Sequence, residues 1–90
     1  MEQAGIMLKV RFFSLIREAL DCEELDLEYA PELITLEEVK SHLISTGGDL
    51  WQEALRQPNV VHALNHRVVE PSHPISDGDE IAFFPPMTGG

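Results

Sequence analysis

Glu80-Ile81-Ala82-Phe83-Phe84-Pro85-Pro86-Met87-Thr88-Gly89-Gly90 closes the chain, and the rest is read outward from it. After Glu80, its next four residues are apolar and end in two aromatics, which predicts a strand over Glu80–Phe84. Alternation sends Ile81 and Phe83 inward and leaves Ala82 and Phe84 outward. Pro85 and Pro86 then stop the sheet, because proline has no N–H for a ladder. The pair also favours a stiff, extended polyproline conformation. From Pro85 to Gly90 the segment spans about 20 Å when extended. Gly89 and Gly90 have no side chains to meet the walls of a tunnel, and they accept backbone angles closed to other residues. The expectation is a folded domain over residues 1–84 and an extended Gly-Gly tail over 85–90, able to carry a terminal carboxylate into a narrow slot. A merely frayed end is the alternative.

The turn Asp77-Gly78-Asp79 precedes this strand. Further upstream, Val60–Leu64 is an apolar strand candidate. Asn65-His66 reads as a tight turn and Arg67–Glu70 as an antiparallel return, with Pro71–Pro74 as loop. At the other end, Met7–Phe13 alternates. Leu8, Val10 and Phe12 take the core side, while Phe13 shares the outer side with Lys9 and Arg11. An aromatic on a charged face is either a contact point or a ring covered by a neighbouring loop. Cys22–Tyr29 alternates again, with Leu25 and Leu27 inward and acids outward, as a hairpin partner of the first strand. Ser14–Leu20 suits one short turn or helix.

The clearest helix begins at Thr35, which has Glu38 three residues on, the capping-box spacing. Ile34 and Val39 are placed as a hydrophobic staple. Leu36, Val39, Leu43 and Ile44 form an apolar stripe at helical spacing, and Gly47-Gly48 ends it. Asp49 is expected to cap a second short helix carrying Leu50, Trp51 and Leu55, broken by Pro58-Asn59, with Trp51 as a packing residue. The order predicts an α+β fold, an ubiquitin-like β-grasp, with a mixed sheet of about five strands, one main helix and a short second helix. Its first and last strands would be parallel central neighbours. Phe13, Phe84 and Val68 would then meet on the face away from the helix.

Ninety residues at 43% hydrophobic and 24% charged suit one soluble domain. No apolar run approaches the length of about 18 residues that spans a membrane. Met1-Glu2-Gln3-Ala4-Gly5 carries no basic n-region, and Cys22 has no partner for a disulfide, so a cytoplasmic location is expected. Sixteen acidic residues against six basic ones give a net charge of −10. That disfavours nucleic acid and anionic membranes and favours a basic partner surface. Glu23, Glu24, Asp26, Glu28, Glu32, Glu37 and Glu38 fall together with no Lys or Arg between them. They make either a solvated face or a docking face.

No self-contained catalytic site is expected. His42, His62, His66 and His73 are scattered, and one Cys is too few for a structural zinc site. Asp77-Gly78-Asp79-Glu80 lacks the ligand spacing of a calcium loop. No P-loop is present, and no metal or bound cofactor is expected. The remaining reactive group is the terminal carboxylate. It becomes an acyl donor to sulfur only when converted to a mixed anhydride such as an acyl-adenylate, and a Gly-Gly end leaves that anhydride uncrowded.

Lys9-Val10-Arg11-Phe12-Phe13, Arg17-Glu18, Asn65, Asp77–Phe84 and Pro85-Pro86-Met87-Thr88-Gly89-Gly90 resemble the MoaD/ThiS sulfur-carrier family, on the molybdopterin synthase side of it. The Gly-Asp-Glu, Phe-Phe-Pro-Pro and Thr-Gly-Gly run is the specific part. From about Cys22 to Val61 the match is in pattern more than identity. The resemblance implies that an ubiquitin-activating-type enzyme adenylates Gly90 with ATP and that a sulfur donor protein converts it to a thiocarboxylate. The tail, Pro85, Pro86, Met87, Thr88 and Gly89, then enters the large synthase subunit of a heterotetramer. There it gives sulfur to cyclic pyranopterin monophosphate in molybdenum cofactor biosynthesis. The resemblance also implies that Phe13, Val68 and Phe84 form the partner interface and that catalytic side chains belong to the large subunit. A carrier for thiamin thiazole synthesis and an unactivated ubiquitin-like binding module stay open.

Overall fold

The computed structural model describes residues 7–86. Strands β1 (Met7–Phe12), β2 (Glu24–Glu28), β3 (Val61–Leu64), β4 (Arg67–Val69) and β5 (Glu80–Phe84) form one sheet in the order β2-β1-β5-β3-β4. β1 and β5 run parallel at its centre, and every other neighbouring pair is antiparallel. This is the mixed β-grasp sheet that the strand order predicts. β1 stops at Phe12, since Phe13 is the extended cap residue of the next helix. β2 and β4 are likewise shorter than the alternating stretches that contain them.

Three helices accompany the sheet: α2 (Leu36–Gly47) is the main helix and α3 (Asp49–Leu55) the short second one, and the stretch expected as one short turn or helix forms α1 (Ser14–Leu20). α1 buries Ile16 and Leu20. α2 presents Leu36, Val39 and Leu43 to the same core as Leu8, Val10, Phe12, Ile81 and Phe83 of the central strands. Burying each such side chain stabilises the fold by about 1.5–3 kcal/mol. Phe12 and Phe83, neighbours across the parallel pair, stack with centroids 5.8 Å apart. Trp51 meets Phe12 edge-on at 5.4 Å, so it packs as expected.

The start of α2 accounts for its own free amides. Glu38 accepts the Thr35 amide at 2.7 Å and the Thr35 hydroxyl as well. These bonds hold its carboxyl below the usual range. The loop after β4 supplies the next two acceptors. The Leu36 amide donates to the His73 carbonyl (3.0 Å) and the Glu37 amide to that of Pro71 (2.8 Å). The staple does not close: Val39 is fully buried but Ile34 is 61% exposed. Gly48, with φ at +88°, ends α2 and caps α3, so Asp49 is the first helical residue rather than the cap. Gly47 lies under the Trp51 ring, and a Cβ there would run into the indole. The packing of Trp51, and not only the turn, therefore requires glycine.

Six of the seven acids of the run, all but Glu37, are exposed. Tertiary contacts bring cations from elsewhere in the chain to it. Glu24 lies 3.6 Å from both Lys9 and Arg11. Glu37 pairs with Arg56 at 2.7 Å and Lys40 at 3.8 Å. Glu38 is committed to the cap.

Candidate functional site

The site is built where β5 leaves the sheet. Phe84 is the last strand residue, paired in register with Val61 on one side. On its other side the Phe13 amide donates to the Phe83 carbonyl at 3.2 Å, which brings Phe13 beside Phe84. The two rings stack at 4.5 Å, tilted by only 5°, and the Arg11 guanidinium lies 5.5 Å from the Phe13 centroid. Both rings are half-buried against each other. Pro85 and Pro86 continue from them, also half-buried and outside any strand.

Ala82 and Ala63 face each other across β5 and β3 on the helix-free side. Although no helix covers that side, Ala82 is 9% exposed and Ala63 only 6%. They form the floor of a hollow of about 230 Å³ whose walls include Phe13, Phe84 and Val68. The expected patch is therefore a recess with an aromatic wall on one side and Val68, 77% exposed, on the other. Ala82 faces outward as alternation predicts, but its neighbours bury it. The remaining wall is polar, and among the described residues its Arg11 Nε is buried without a hydrogen-bond partner. Arg11 Nη1 is 3.4 Å from Glu80 Oε2, and His66 Nε2 is 3.8 Å from Glu80 Oε1.

Asn65 sets the height of β5. Asn65 and His66 both have positive φ, 50° and 71°, as a two-residue hairpin turn of the favoured hand requires. The Asn65 side chain donates to Asp79 Oδ1 (3.0 Å) and accepts the Glu80 amide (2.9 Å), while its own amide donates to the Glu80 carbonyl (2.8 Å). The hairpin is thereby fastened to the first residue of β5. The sequence marks the turn but not this latch.

A second polar pair escaped the sequence reading. Lys40 of α2 and His62 of β3 are both buried, with Lys40 Nζ 3.0 Å from His62 Nε2. The ammonium donates, so Nε2 accepts and the imidazole proton sits on Nδ1. Burial, reinforced by the Lys40 charge, pushes His62 down to about 4. Burial likewise lowers Lys40, against the raising effect of Glu37. Alternation through Val60–Leu64 does put His62 on the core side with Leu64, which was the available signal. In the unfolded chain His62 regains its ordinary value near 6.5. The unfolded state then binds more protons between the two values. The contribution is full above pH 6.5 and is lost as pH falls towards 4. Urea titrations at pH 7 and pH 5 should differ by about 2 kcal/mol more for the parent than for His62→Gln. Equal pH dependence in the two proteins would mean that His62 is not the group responsible.

Cys22 is half-buried, and burial, then the charge of Asp21, raises its thiol above the ordinary value. Among the described residues no group of three His, Cys, Asp or Glu side chains is placed to hold a metal. No helix among them is long and apolar enough to cross a membrane. Met87, Thr88, Gly89 and Gly90 lie outside the described residues.

A β-grasp domain with parallel central strands β1 and β5 places this chain in the ubiquitin-like class. More narrowly, it belongs to the ThiS family, whose match runs over residues 10–90 and so includes the Gly-Gly end. It is 39% identical over 84 residues to the molybdopterin synthase sulfur carrier subunit of Escherichia coli, covering 93% of this chain and 100% of that protein. The same identity and coverage hold for the sulfur carrier subunit of Haemophilus influenzae. Among solved structures it is similar to one chain of the complex of subunits 1 and 2 of molybdopterin-converting factor from Helicobacter pylori. There the identity is 29%, the coverage 93% of this chain and 99% of that one, and the TM-score 0.65. Urm1 from Trypanosoma brucei shares the fold, with TM-score 0.75 at 18% identity, covering 99% and 100% of the two chains.

Proposed function

We propose that the chain is the sulfur-carrier small subunit of molybdopterin synthase, a sulfur-donating and not itself catalytic subunit. The observation that carries this reading is the 39% identity to curated sulfur carrier subunits over their whole length, within a family match that extends to Gly90. The stacked Phe13–Phe84 pair at the exit of β5 supports it, because a partner that receives the tail must pass over these rings.

The chemistry belongs to the Gly90 carboxylate. In an ubiquitin-activating-type enzyme the carboxylate oxygen attacks the α-phosphorus of ATP and expels pyrophosphate. The outer sulfur of a donor-protein persulfide then displaces AMP to form an acyl disulfide, and a thiol reductant cleaves its S–S bond, leaving a C-terminal thiocarboxylate and a disulfide on the donor side. In the large synthase subunit the thiocarboxylate sulfur attacks cyclic pyranopterin monophosphate. Water then hydrolyses the acyl–sulfur bond, leaving sulfur on the pterin and a carboxylate on Gly90. Two such transfers build a dithiolene. Pro85 and Pro86 hold the tail off the domain, and Met87, Thr88 and Gly89 thread the channel. The assembly is a heterotetramer with two large subunits at its centre, and the setting is the cytoplasm.

The test is intact mass after coexpression with the cognate activating enzyme and sulfur donor. A gain equal to the exchange of one oxygen for sulfur at Gly90 is expected, together with copurification of the large subunit. An unmodified C-terminus under these conditions would leave an ubiquitin-like binding module instead.

A further inference from the structure

Phe13 is the one residue between β1 and α1, and it is bonded to both sides. Its N–H donates to the Phe83 carbonyl at 3.2 Å, beside the β1–β5 ladder, while its carbonyl accepts the amides of Ile16 (3.2 Å) and Arg17 (3.3 Å) at the head of α1. The backbone therefore turns from strand to helix with no linker to spare. Phe13 is still extended, with φ at −127° and ψ at 152°, and Ser14 follows with φ at 53°. That region suits glycine, and a serine held there is strained. Ser14 is exposed, so the packing of its own side chain does not account for the strain. What the strain accompanies lies next to it. The Phe13 ring stacks flat on Phe84, the last residue of β5, after which come Pro85 and Pro86.

We propose that Ser14 is a positioning residue for the root of the tail. Its positive φ lets Phe13 serve strand and helix together, and so holds the Phe13 ring against Phe84. With φ negative at Ser14, α1 would leave β1 in a different direction. Phe13 would then give up either its bond to β5 or its bonds to α1, and the stacked pair would loosen. The role falls on the backbone of Ser14 and not on its hydroxyl. Only the consequence at the partner rests on the function proposed above; the geometry of the two rings belongs to the free chain.

The experiment compares variants of the full chain by two readouts. One is the nuclear Overhauser effect between the Phe13 and Phe84 rings in the free protein, and the other is affinity for the cognate large subunit by calorimetry. Ser14→Gly accepts positive φ without strain, so it should keep the ring contact and bind within about twofold of the parent. Ser14→Thr keeps the hydroxyl but adds a branch that opposes positive φ, and it should weaken both readouts. Ser14→Pro fixes φ at about −65°; it should abolish the ring contact and weaken binding by about tenfold or more. Proline is favoured as a first helical residue, and the residue before it favours the extended form that Phe13 has. A residue that merely started α1 would therefore tolerate proline well. Ile16→Val, buried in the same helix, controls for lost stability and should leave both readouts parent-like. An intact ring contact in Ser14→Pro would overturn the proposal, as would a loss in Ser14→Gly or Ile16→Val equal to that in Ser14→Thr. Failure of the parent to bind the large subunit would overturn the synthase reading, while the ring contact still tests this inference. Should Ser14→Pro not fold, as judged by circular dichroism, Ser14→Thr against Ser14→Gly decides the matter.

Discussion

Deleting Gly90 is expected to abolish both thiocarboxylate formation and sulfur transfer while leaving the thermal transition unchanged. The reason is division of labour along the chain. The core consists of side chains from Leu8 to Phe83, and the ladder of β5 ends at Phe84. The reacting atom is the terminal carboxyl carbon. Removing one residue draws that atom back by about 3.5 Å, whereas catalysis tolerates misplacement by only about 1 Å before large losses. Single-turnover sulfur transfer and intact mass measure the first effect, and a melting curve the second. A truncated chain that still converts the pterin precursor would sink the carrier reading. If the truncation lowered the melting temperature instead, the tail would be part of the fold.

The adjacent phenylalanines should respond in opposite ways. Phe83 is fully buried, stacked on Phe12 and edge-on to His62 at 5.6 Å. Phe83→Ala should cost about 3–5 kcal/mol of stability, a large share of the roughly 5–15 kcal/mol that holds a domain folded. Phe84 is on the other face, half-buried beside Phe13. Its replacement by alanine forfeits the stack, worth about 0.5–1.5 kcal/mol beyond the area it covers. Its main effect should appear at the partner. An anchor of this type carries about 2 kcal/mol or more, which is about thirtyfold in Kd. Denaturant titration and calorimetry against the large subunit separate the two outcomes. Equal stability losses in the two variants, with affinity for the partner intact, would place Phe84 in the core and shift the register of β5 by one.

Such a contrast between neighbours is possible because a strand changes face at every residue. That property made much of this protein legible in its sequence. Leu8, Val10 and Phe12, and again Ile81 and Phe83, carry their inward orientation in the alternation itself. The Thr35–Glu38 pair and the apolar stripe behind it announce α2. Asn65-His66 and Asp77-Gly78-Asp79 announce turns, and Pro85-Pro86 announces the end of the sheet. Each signal is complete within a few residues, because it rests on backbone angles, on a single proline or glycine, or on spacing along one element. The Gly-Gly end is local in the same sense.

Other features depend on residues far apart in the chain, and only their meeting decides them. The acidic run looks unpaired until Lys9 and Arg11 from β1 and Arg56 beyond α3 are folded onto it. Ile34 has the spacing of a staple, yet the loop after β4 takes over the start of α2 and Ile34 remains in solvent. His62 becomes a base of unusual weakness because the fold buries it and sets the charge of Lys40, from another element, against it. Ala63 and Ala82 are unremarked as residues, and the register of β3 on β5 makes them the floor of one recess. Alternation assigned outward faces to Ala82 and to the acids within Cys22–Tyr29. Their neighbours, and hence their burial and charge, followed from how five strands and three helices closed on a single core.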